Sequence, residues 1–347
     1  MKKITFLVVT AFLLLSACSS GGAEGGSSEG AGGKLTIGTW GGDYEQYLKD
    51  LVEPELKNDY DLVYVPESTS ARMTKVRIEA EGEGTYDVIN LQDTTMQQLV
   101  NGDLLMKLDY SKIPNAENIR EELKNPYFIP HIYSAATIVY NKKLVEEAPD
   151  SWEALWDPKY KGKVGVHTAI FPRYLFAAAA VEGVAESEEW DKAWDKLLSM
   201  SDNNPKFYTS QEQLATALQT GEIAMTVTWR ARAVQWNDAG GDPIGSVIPK
   251  EGTFPTVFGT GIPKNAQNVE GAYDFLNAML DPEAQAKFAE NMGYVPTVTD
   301  AELEKEVKNS IAFSDEELER IMPISLEYIT ENYAEWKKKF DRDFAAQ

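Results

Sequence analysis

The residues best suited to chemistry in this sequence stand where short apolar runs end. The runs 34–40, 86–91, 163–167 and 224–229 alternate or cluster apolar residues as buried strands do. In open α/β sheets, ligands bind beyond the carboxyl ends of the strands. We therefore predict a ligand-binding cleft from the residues that end or follow these runs. They are Trp40-Gly41-Gly42, Gln92-Asp93-Thr94, Thr168 with Arg173, and Trp229-Arg230.

These residue types favour binding of a charged small molecule. Backbone N–H groups at a helix start after Trp40 suit a carboxylate or phosphate, and a guanidinium such as Arg173 grips a carboxylate through two hydrogen bonds. Plainer roles stay open at this point. Trp40 can be a core residue, Asp93 can simply cap the helix that follows it, and the arginines can lie on the surface or between lobes.

Nucleophiles and metal ligands are scarce in the chain. It has a single cysteine, Cys18, and two histidines, His131 and His167. A zinc site would therefore depend on carboxylates, and no Ser–His–Asp order stands out. We predict a binding protein without catalytic residues, metal or cofactor, and keep an enzyme on the same fold as an alternative.

The N-terminus predicts export and lipid anchoring. Lys2 and Lys3 precede an apolar run over 4–15 that is too short to span a membrane, and small residues lead to Cys18. This order resembles the bacterial lipobox, so residues 1–17 are predicted to be a lipoprotein signal peptide and Cys18 the lipidated first residue. The glycine- and serine-rich residues 18–33 are predicted to be a flexible tether. We expect a lipid-anchored protein on the extracytoplasmic face of the cell membrane.

Charge narrows the choice of partners. The formal net charge of -22 becomes about -24 once residues 1–17, which carry two lysines and no acid, are removed. Binding to nucleic acid requires a basic face, so nucleic acid is not an expected partner. Strong acidity favours a body that stays monomeric. Contact with the membrane is expected only through the lipid.

Strand and helix patterns alternate along the whole body, which predicts an α/β fold. Further strands are predicted over 62–65, 136–140 and 256–262. Asp43, Ser210, Asp281, Thr299 and Ser314 are predicted to cap helices. A helix carrying Met73, Val76 and Ile78 is predicted to follow the strand over 62–65.

Seven local patterns occur in order along the chain and together resemble the spermidine/putrescine-binding family of extracellular solute-binding proteins. The two most specific are Ser-Trp-Glu-Ala-Leu-Trp-Asp-Pro from Ser151 and Gly-Tyr-Val-Pro-Thr from Gly293. The other five are Thr-Trp-Gly-Gly-Asp-Tyr from Thr39, Tyr-Asp-Val-Ile from Tyr86, Val-Tyr-Asn from Val139, the stretch from Ser210 to Met225, and Gly-Ile-Pro-Lys-Asn-Ala from Gly261.

The resemblance implies a two-lobed periplasmic-binding-protein fold of type II. Residues 34–134 with 256–303 would form one lobe, and residues 135–255 with 304–347 the other. A small ligand would bind in the cleft between the lobes, which would close over it by a hinge motion. It would lie near Tyr133, where the chain crosses between the lobes, and against Trp229, which would form an aromatic wall. The implied partner is the permease of an ABC importer, and a ligand-sensing lipoprotein on the same fold is an alternative.

Two departures from the family change the expected ligand. Polyamine binders of the family hold ammonium groups with carboxylates in the stretches that correspond to 168–173 and 256–261, and neither stretch contains an acid here. Phe258 stands in the second of them. A buried ammonium without a carboxylate is costly. We therefore expect a carboxylate-bearing or zwitterionic ligand, with polyamine import as the alternative.

Overall fold

The computed structural model describes residues 32–240 and 243–346. The predicted signal peptide, Cys18 and the tether up to residue 31 lie outside these residues. Gly32 and Gly33, expected to end the tether, are held by backbone hydrogen bonds. The Gly32 N–H donates to the Asp59 carbonyl at 2.6 Å, and the Asp61 N–H donates to the Gly33 carbonyl at 2.9 Å.

The described strands form one mixed sheet in the order β2-β1-β3-β9-β4-β7-β5-β6, with β8 and β10 also paired to β4. Strands β1, β2 and β3 are parallel to one another, as are β5, β6 and β7, whereas every pairing of β4 and β9 is antiparallel. The ranges are β1 Lys34–Thr39, β2 Asp61–Pro66, β3 Val88–Gln92, β4 Phe128–Asn141, β5 Val164–His167, β6 Lys206–Tyr208, β7 Met225–Trp229, β8 Ile244–Val247, β9 Pro255–Gly261 and β10 Val295–Pro296.

Helices cover the sheet and connect its strands, which confirms the α/β fold class. None of the helices in the described ranges has the length and apolar character needed to cross a bilayer. The ranges are α1 Asp43–Leu51, α2 Glu53–Leu56, α3 Thr69–Ile78, α4 Asp93–Asn101, α5 Pro172–Val181, α6 Trp194–Ser199, α7 Gln211–Gln219, α8 Arg230–Gly240, α9 Val269–Ala278, α10 Pro282–Met292, α11 Lys305–Ile311, α12 Asp315–Leu318 and α13 Leu326–Phe340.

The long strand β4 runs from one lobe into the other. Its first part, 128–135, pairs with β9, and its last part, 136–141, pairs with β7 and β8. The hydrophobic core divides at the same place, because Ala135 belongs to one large buried cluster and Ala136 to the next. The chain crosses a second time over residues 248–254, between β8 and β9. Two adjacent crossings can serve as a hinge, because hinges are a few residues that absorb the change in backbone angles.

Several helix starts are confirmed and others are wrong. The side chains of Ser210, Asp281 and Ser314 accept hydrogen bonds from first-turn N–H groups, and Ser314 forms a full capping box with its helix. Asp43 lies inside the first turn of α1, because Gly42 takes the cap position with a φ of 69°. Thr299 caps no helix, since its hydroxyl donates to the Asn118 carbonyl and α11 begins only at residue 305.

The predicted helix that carries Met73, Val76 and Ile78 is α3, and its apolar residues are only partly buried. Met73 and Val76 are buried, but Ile78 is 78% exposed at the last position of the helix. Arg72, which the apolar pattern did not include, is instead completely buried. This unexpected buried charge lies directly behind the candidate site.

Candidate functional site

A cleft of ≈ 490 Å³ lies beyond the carboxyl ends of β1 and β7, between the two lobes. Helices α7 and α8 contribute residues from one lobe, and the turn after β1, α1, β4, β9 and the end of α10 contribute residues from the other. The lining residues are Trp40, Gly41, Asp43, Tyr44, Tyr47, Ile132, Glu212, Arg232, Gln235, Phe258, Asn291, Met292 and Tyr294.

An aromatic wall is built around Phe258. Its ring centroid lies 5.8 Å from Trp40, 5.9 Å from Trp229 and 5.3 Å from Tyr294, each at a steep interplanar angle. The Trp229 indole N–H also donates to the Tyr294 hydroxyl at 2.8 Å. This contact connects the end of β7 to the segment before β10, so aromatic residues of both lobes meet at one wall.

Trp40 rests on the buried guanidinium of Arg72. The guanidinium carbon lies 4.8 Å from the centre of the Trp40 ring. Its nitrogens donate to the carbonyl oxygens of Thr39, Glu67 and Asn90, which end β1, follow β2 and lie in β3. Burial lowers the pKa of Arg72 to about 10, so the side chain stays charged at neutral pH. Arg72 thus ties three strand ends together and fixes the tryptophan above them.

Two more guanidinium groups contact Trp229. The guanidinium carbons of Arg173 and Arg232 lie 5.2 Å and 5.1 Å from its ring centre. Arg173 is buried and donates to the Thr256 hydroxyl at 3.0 Å. Burial lowers the pKa of Arg173, while the nearby Asp93 carboxylate opposes this shift. Arg173 therefore acts behind the wall, where it joins α5 to β9.

Asp93 is a buried carboxylate at the start of α4. Its oxygens accept hydrogen bonds from the backbone N–H groups of Val257, at 2.8 Å, and Thr94, at 2.6 Å. Burial raises its pKa to about 6, against the lowering effect of these hydrogen bonds and of Arg173. Gln92 takes the cap position of α4 without a side-chain cap bond. The carboxylate thereby holds β9 to the end of β3.

Replacing Asp93 by asparagine is expected to change how stability depends on pH. Between the ordinary pKa of 3.8 and the folded value of about 6, the folded protein holds a proton that the unfolded chain lacks. Asp93 therefore costs stability above pH 6, and this cost is relieved as the pH falls. The stability of the wild type relative to Asp93→Asn should rise by on the order of 1 kcal/mol per pH unit from pH 6 to pH 4. Urea unfolding at each pH measures the difference in unfolding free energy between the two proteins. A difference that does not change between pH 6 and pH 4 contradicts the prediction.

The side chains of Arg230 and Tyr133 contact residues near α11 and α12 instead of the cleft. Arg230 forms an ion pair with Glu317 and donates to the Ala312 carbonyl at 2.9 Å. Its guanidinium lies over the Phe313 ring, which also contacts the ring of Tyr133 at 6.2 Å. These residues hold the segment between α11 and α12 against the crossing strand β4.

Of the predicted site residues, Trp40, Gly41 and Phe258 come together in the cleft lining. Gly42 is exposed beside them, Trp229 is part of the aromatic wall, and Arg173 lies behind it. Thr168 donates to the Tyr208 carbonyl at 3.3 Å in the turn after β5. The residues that the sequence prediction did not place in the cleft include Tyr44, Tyr47, Glu212, Arg232, Gln235 and Tyr294.

Tyr44 reaches the cleft because a buried polar network holds it. Its hydroxyl accepts a hydrogen bond from the Asn90 amide at 3.0 Å and lies 2.9 Å from Nδ1 of His131. Burial lowers the pKa of His131 to about 3, so the imidazole is neutral at physiological pH. Tyr44 belongs to the hydrophobic core and also lines the cleft, because the face of α1 that carries it meets both.

The charged groups of the cleft lie on both lobes. Asp43 and Glu212 are exposed, and Arg232 is half-buried. Hydrogen bonds from its own backbone N–H and from Ser210 lower the pKa of Glu212, and the charge of Arg232 lowers it further. Within the described ranges, no group of three or more His, Cys, Asp or Glu side chains could hold a metal ion.

The sequence matches the family model of bacterial extracellular solute-binding proteins over residues 46–315. The chain therefore belongs to this family, and its fold is the type II fold of periplasmic binding proteins. The relatives that match are solute-binding proteins and not enzymes.

Individual relatives agree with this assignment. The spermidine/putrescine-binding periplasmic protein of Escherichia coli is 27% identical over 229 residues, which cover 63% of this chain and 65% of that relative. A solved structure of an ABC transporter protein from Clostridium perfringens is 27% identical, with a TM-score of 0.77 over 89% of this chain and 99% of the other. A spermidine/putrescine ABC transporter substrate-binding protein from Streptococcus pneumoniae is 26% identical, with a TM-score of 0.73 over 89% and 99%.

Proposed function

We propose that this protein is the solute receptor of an ABC importer, which captures a small organic molecule in the cleft and delivers it to a permease. The main observation in support of this proposal is the cleft itself, which has a volume of ≈ 490 Å³ and is lined by aromatic and charged residues from both lobes. A volume of this order suits a small ligand. The relatives from Escherichia coli and Streptococcus pneumoniae, whose names specify polyamine binding and ABC transport, support this role.

The proposed capture step is closure of two lobes about the crossings. One lobe comprises residues 34–134 and 256–303, and the other comprises residues 135–255 and 304–347. The change of strand pairing between residues 135 and 136 of β4 supports the first of these boundaries. Since the cleft residues belong to both lobes, a ligand that contacts both favours the closed form.

The proposed location is the extracytoplasmic face of the membrane, with Cys18 lipidated after removal of residues 1–17. The order of a basic start, an apolar run and small residues before the cysteine supports this location. Two acyl chains on one cysteine suffice for stable anchoring, where a single chain is marginal. We propose a monomer that reaches its permease while tethered.

The ligand that we propose bears a carboxylate, alone or together with an ammonium group. Both tryptophans at the wall already contact guanidinium groups, namely Arg72 under Trp40, and Arg173 and Arg232 at Trp229. A polycation placed against these rings would meet positive charge. The buried acid Asp93 is already engaged by two backbone N–H groups. Polyamine binding is the second candidate, favoured by the two exposed acids of the lining.

A matched series of four-carbon probes tests the charge of the ligand. Putrescine carries two ammonium groups, 4-aminobutanoate one ammonium and one carboxylate, and succinate two carboxylates. We expect 4-aminobutanoate to bind more tightly than putrescine and to raise Tm, since a ligand at 100 times its Kd stabilises by about 2.7 kcal/mol. Calorimetric titration measures both affinities.

The twenty protein amino acids and spermidine complete the panel. Micromolar binding of putrescine or spermidine, without any response to a carboxylate-bearing probe, contradicts the proposed ligand and favours polyamine import. A protein that signals instead of importing would bind the same probe, but deletion of its gene would leave uptake of that probe unchanged.

A further inference from the structure

Arg232 differs from the other guanidinium groups near the cleft because it lines the cleft itself. It lies near the start of α8, is half-buried and stacks 5.1 Å from the ring centre of Trp229. Its Nη1 donates to the Gln235 side-chain oxygen at 2.7 Å. The Gln235 amide in turn donates to the Met292 carbonyl of the opposite lobe at 2.7 Å. The guanidinium is therefore held in one orientation.

The other edge of this guanidinium has no protein partner. Neither Nε nor Nη2 of Arg232 has a hydrogen-bond acceptor among the residues that the structure describes, and Nε is buried. These two nitrogens form the side of a guanidinium that can hold both oxygens of one carboxylate. A buried donor without an acceptor costs free energy, and an anionic ligand group would remove that cost.

Glu212 supplies the opposite charge beside it. The carboxylate lines the same cleft from the first turn of α7, and the charge of Arg232 contributes to lowering its pKa. No ion pair joins the two side chains within residues 32–240 and 243–346. The Arg232 guanidinium and the Glu212 carboxylate are thus near one another without direct contact. Both groups are therefore available to a ligand.

We propose that Arg232 and Glu212 select a zwitterionic ligand, with Arg232 gripping its carboxylate through Nε and Nη2 and Glu212 accepting a hydrogen bond from its ammonium group. This inference rests on the proposed capture of a carboxylate-bearing solute and assigns the two residues that determine it. Trp229 and Gln235 position Arg232 and do not themselves carry the charge selection.

Two substitutions separate the two roles. The probes are 4-aminobutanoate, succinate and whichever protein amino acid raises the wild-type Tm most. Arg232→Gln should weaken every carboxylate-bearing probe by between about 10-fold and 100-fold, the loss of a charged hydrogen-bond pair. Glu212→Gln should weaken the zwitterions by about 10-fold and leave succinate unchanged or tighter. Arg232→Lys, which keeps the charge but not the two-nitrogen edge, should restore only part of the affinity.

Arg77→Gln is the matched control, because Arg77 is an exposed guanidinium on α3 and its loss changes the net charge by the same amount. It should leave every affinity unchanged. Wild-type affinity of Arg232→Gln for the carboxylate-bearing probes, or equal weakening of zwitterion and succinate in Glu212→Gln, overturns this inference. A wild type that responds to no carboxylate-bearing probe overturns the proposed ligand class itself, so the two failures are distinguishable.

Discussion

Replacing Arg72 by methionine is expected to lower the free energy of unfolding by about 3–5 kcal/mol. The substitution retains much of the side-chain volume but removes the donors that satisfy the carbonyls of Thr39, Glu67 and Asn90. The Thr39 carbonyl keeps the Glu67 N–H as a second donor, but a buried acceptor left without a partner costs about 1–3 kcal/mol. The lowered pKa of Arg72 shows that burial of its charge is itself unfavourable. Because methionine carries no charge, the substitution removes this unfavourable contribution and offsets part of the lost stability. Urea unfolding followed by tryptophan fluorescence measures the difference.

Arg77→Met on the same helix is the control for this substitution. Arg77 is exposed, and among the residues that the structure describes its side chain donates a single hydrogen bond, to the Gln98 side-chain oxygen at 3.3 Å. Its replacement should change stability by no more than about 0.5 kcal/mol. An unfolding midpoint that is the same in Arg72→Met and Arg77→Met would show that the guanidinium does not hold the strand ends together. If Arg72→Met stays folded, the loss of the group beneath Trp40 should also weaken ligand binding.

Replacing Cys18 by serine is expected to abolish lipid attachment completely. A serine hydroxyl lacks the thiol that the predicted lipobox presents for acylation, and each buried CH₂ of an acyl chain contributes about 0.8 kcal/mol to membrane binding. Incorporation of alkyne-labelled palmitate should therefore fall from the wild-type level to background. Ser19→Ala, next in the predicted tether, should label as the wild type does. Labelling of Cys18→Ser at the wild-type level would contradict the proposed anchor.

The local signals in the sequence predicted the order of elements well. Ser210 and Ser314 cap helices through their own hydroxyls, so a few neighbouring residues carry the information. Strand β4 was predicted only over 136–140, whereas it begins at Phe128. Its first half contains Pro130 and His131, which do not resemble a strand pattern. That half is extended because β9, more than a hundred residues later, pairs with it.

The site was predicted less completely, because contacts between residues far apart in the sequence decide which charged side chains face the cleft. Trp229 and Arg230 were predicted together as cleft residues, but β7 ends at Trp229 and Arg230 begins a helix. Arg230 then pairs with Glu317, a residue 87 positions away. No sequence pattern singled out Arg72. Only the meeting of three strand ends, which no local pattern contains, explains why it is buried.

The place of β9 in the sheet has a consequence for biosynthesis. β9 lies between β3 and β4, yet it is made long after both. A nascent chain that ends before residue 255 leaves one edge of β3 and one edge of β4 without their neighbour. Such unpaired edges invite pairing with other chains. The first lobe therefore cannot finish folding from its N-terminal segment alone, because its sheet needs β9. Until β9 has been synthesised, the nascent chain is exposed to aggregation.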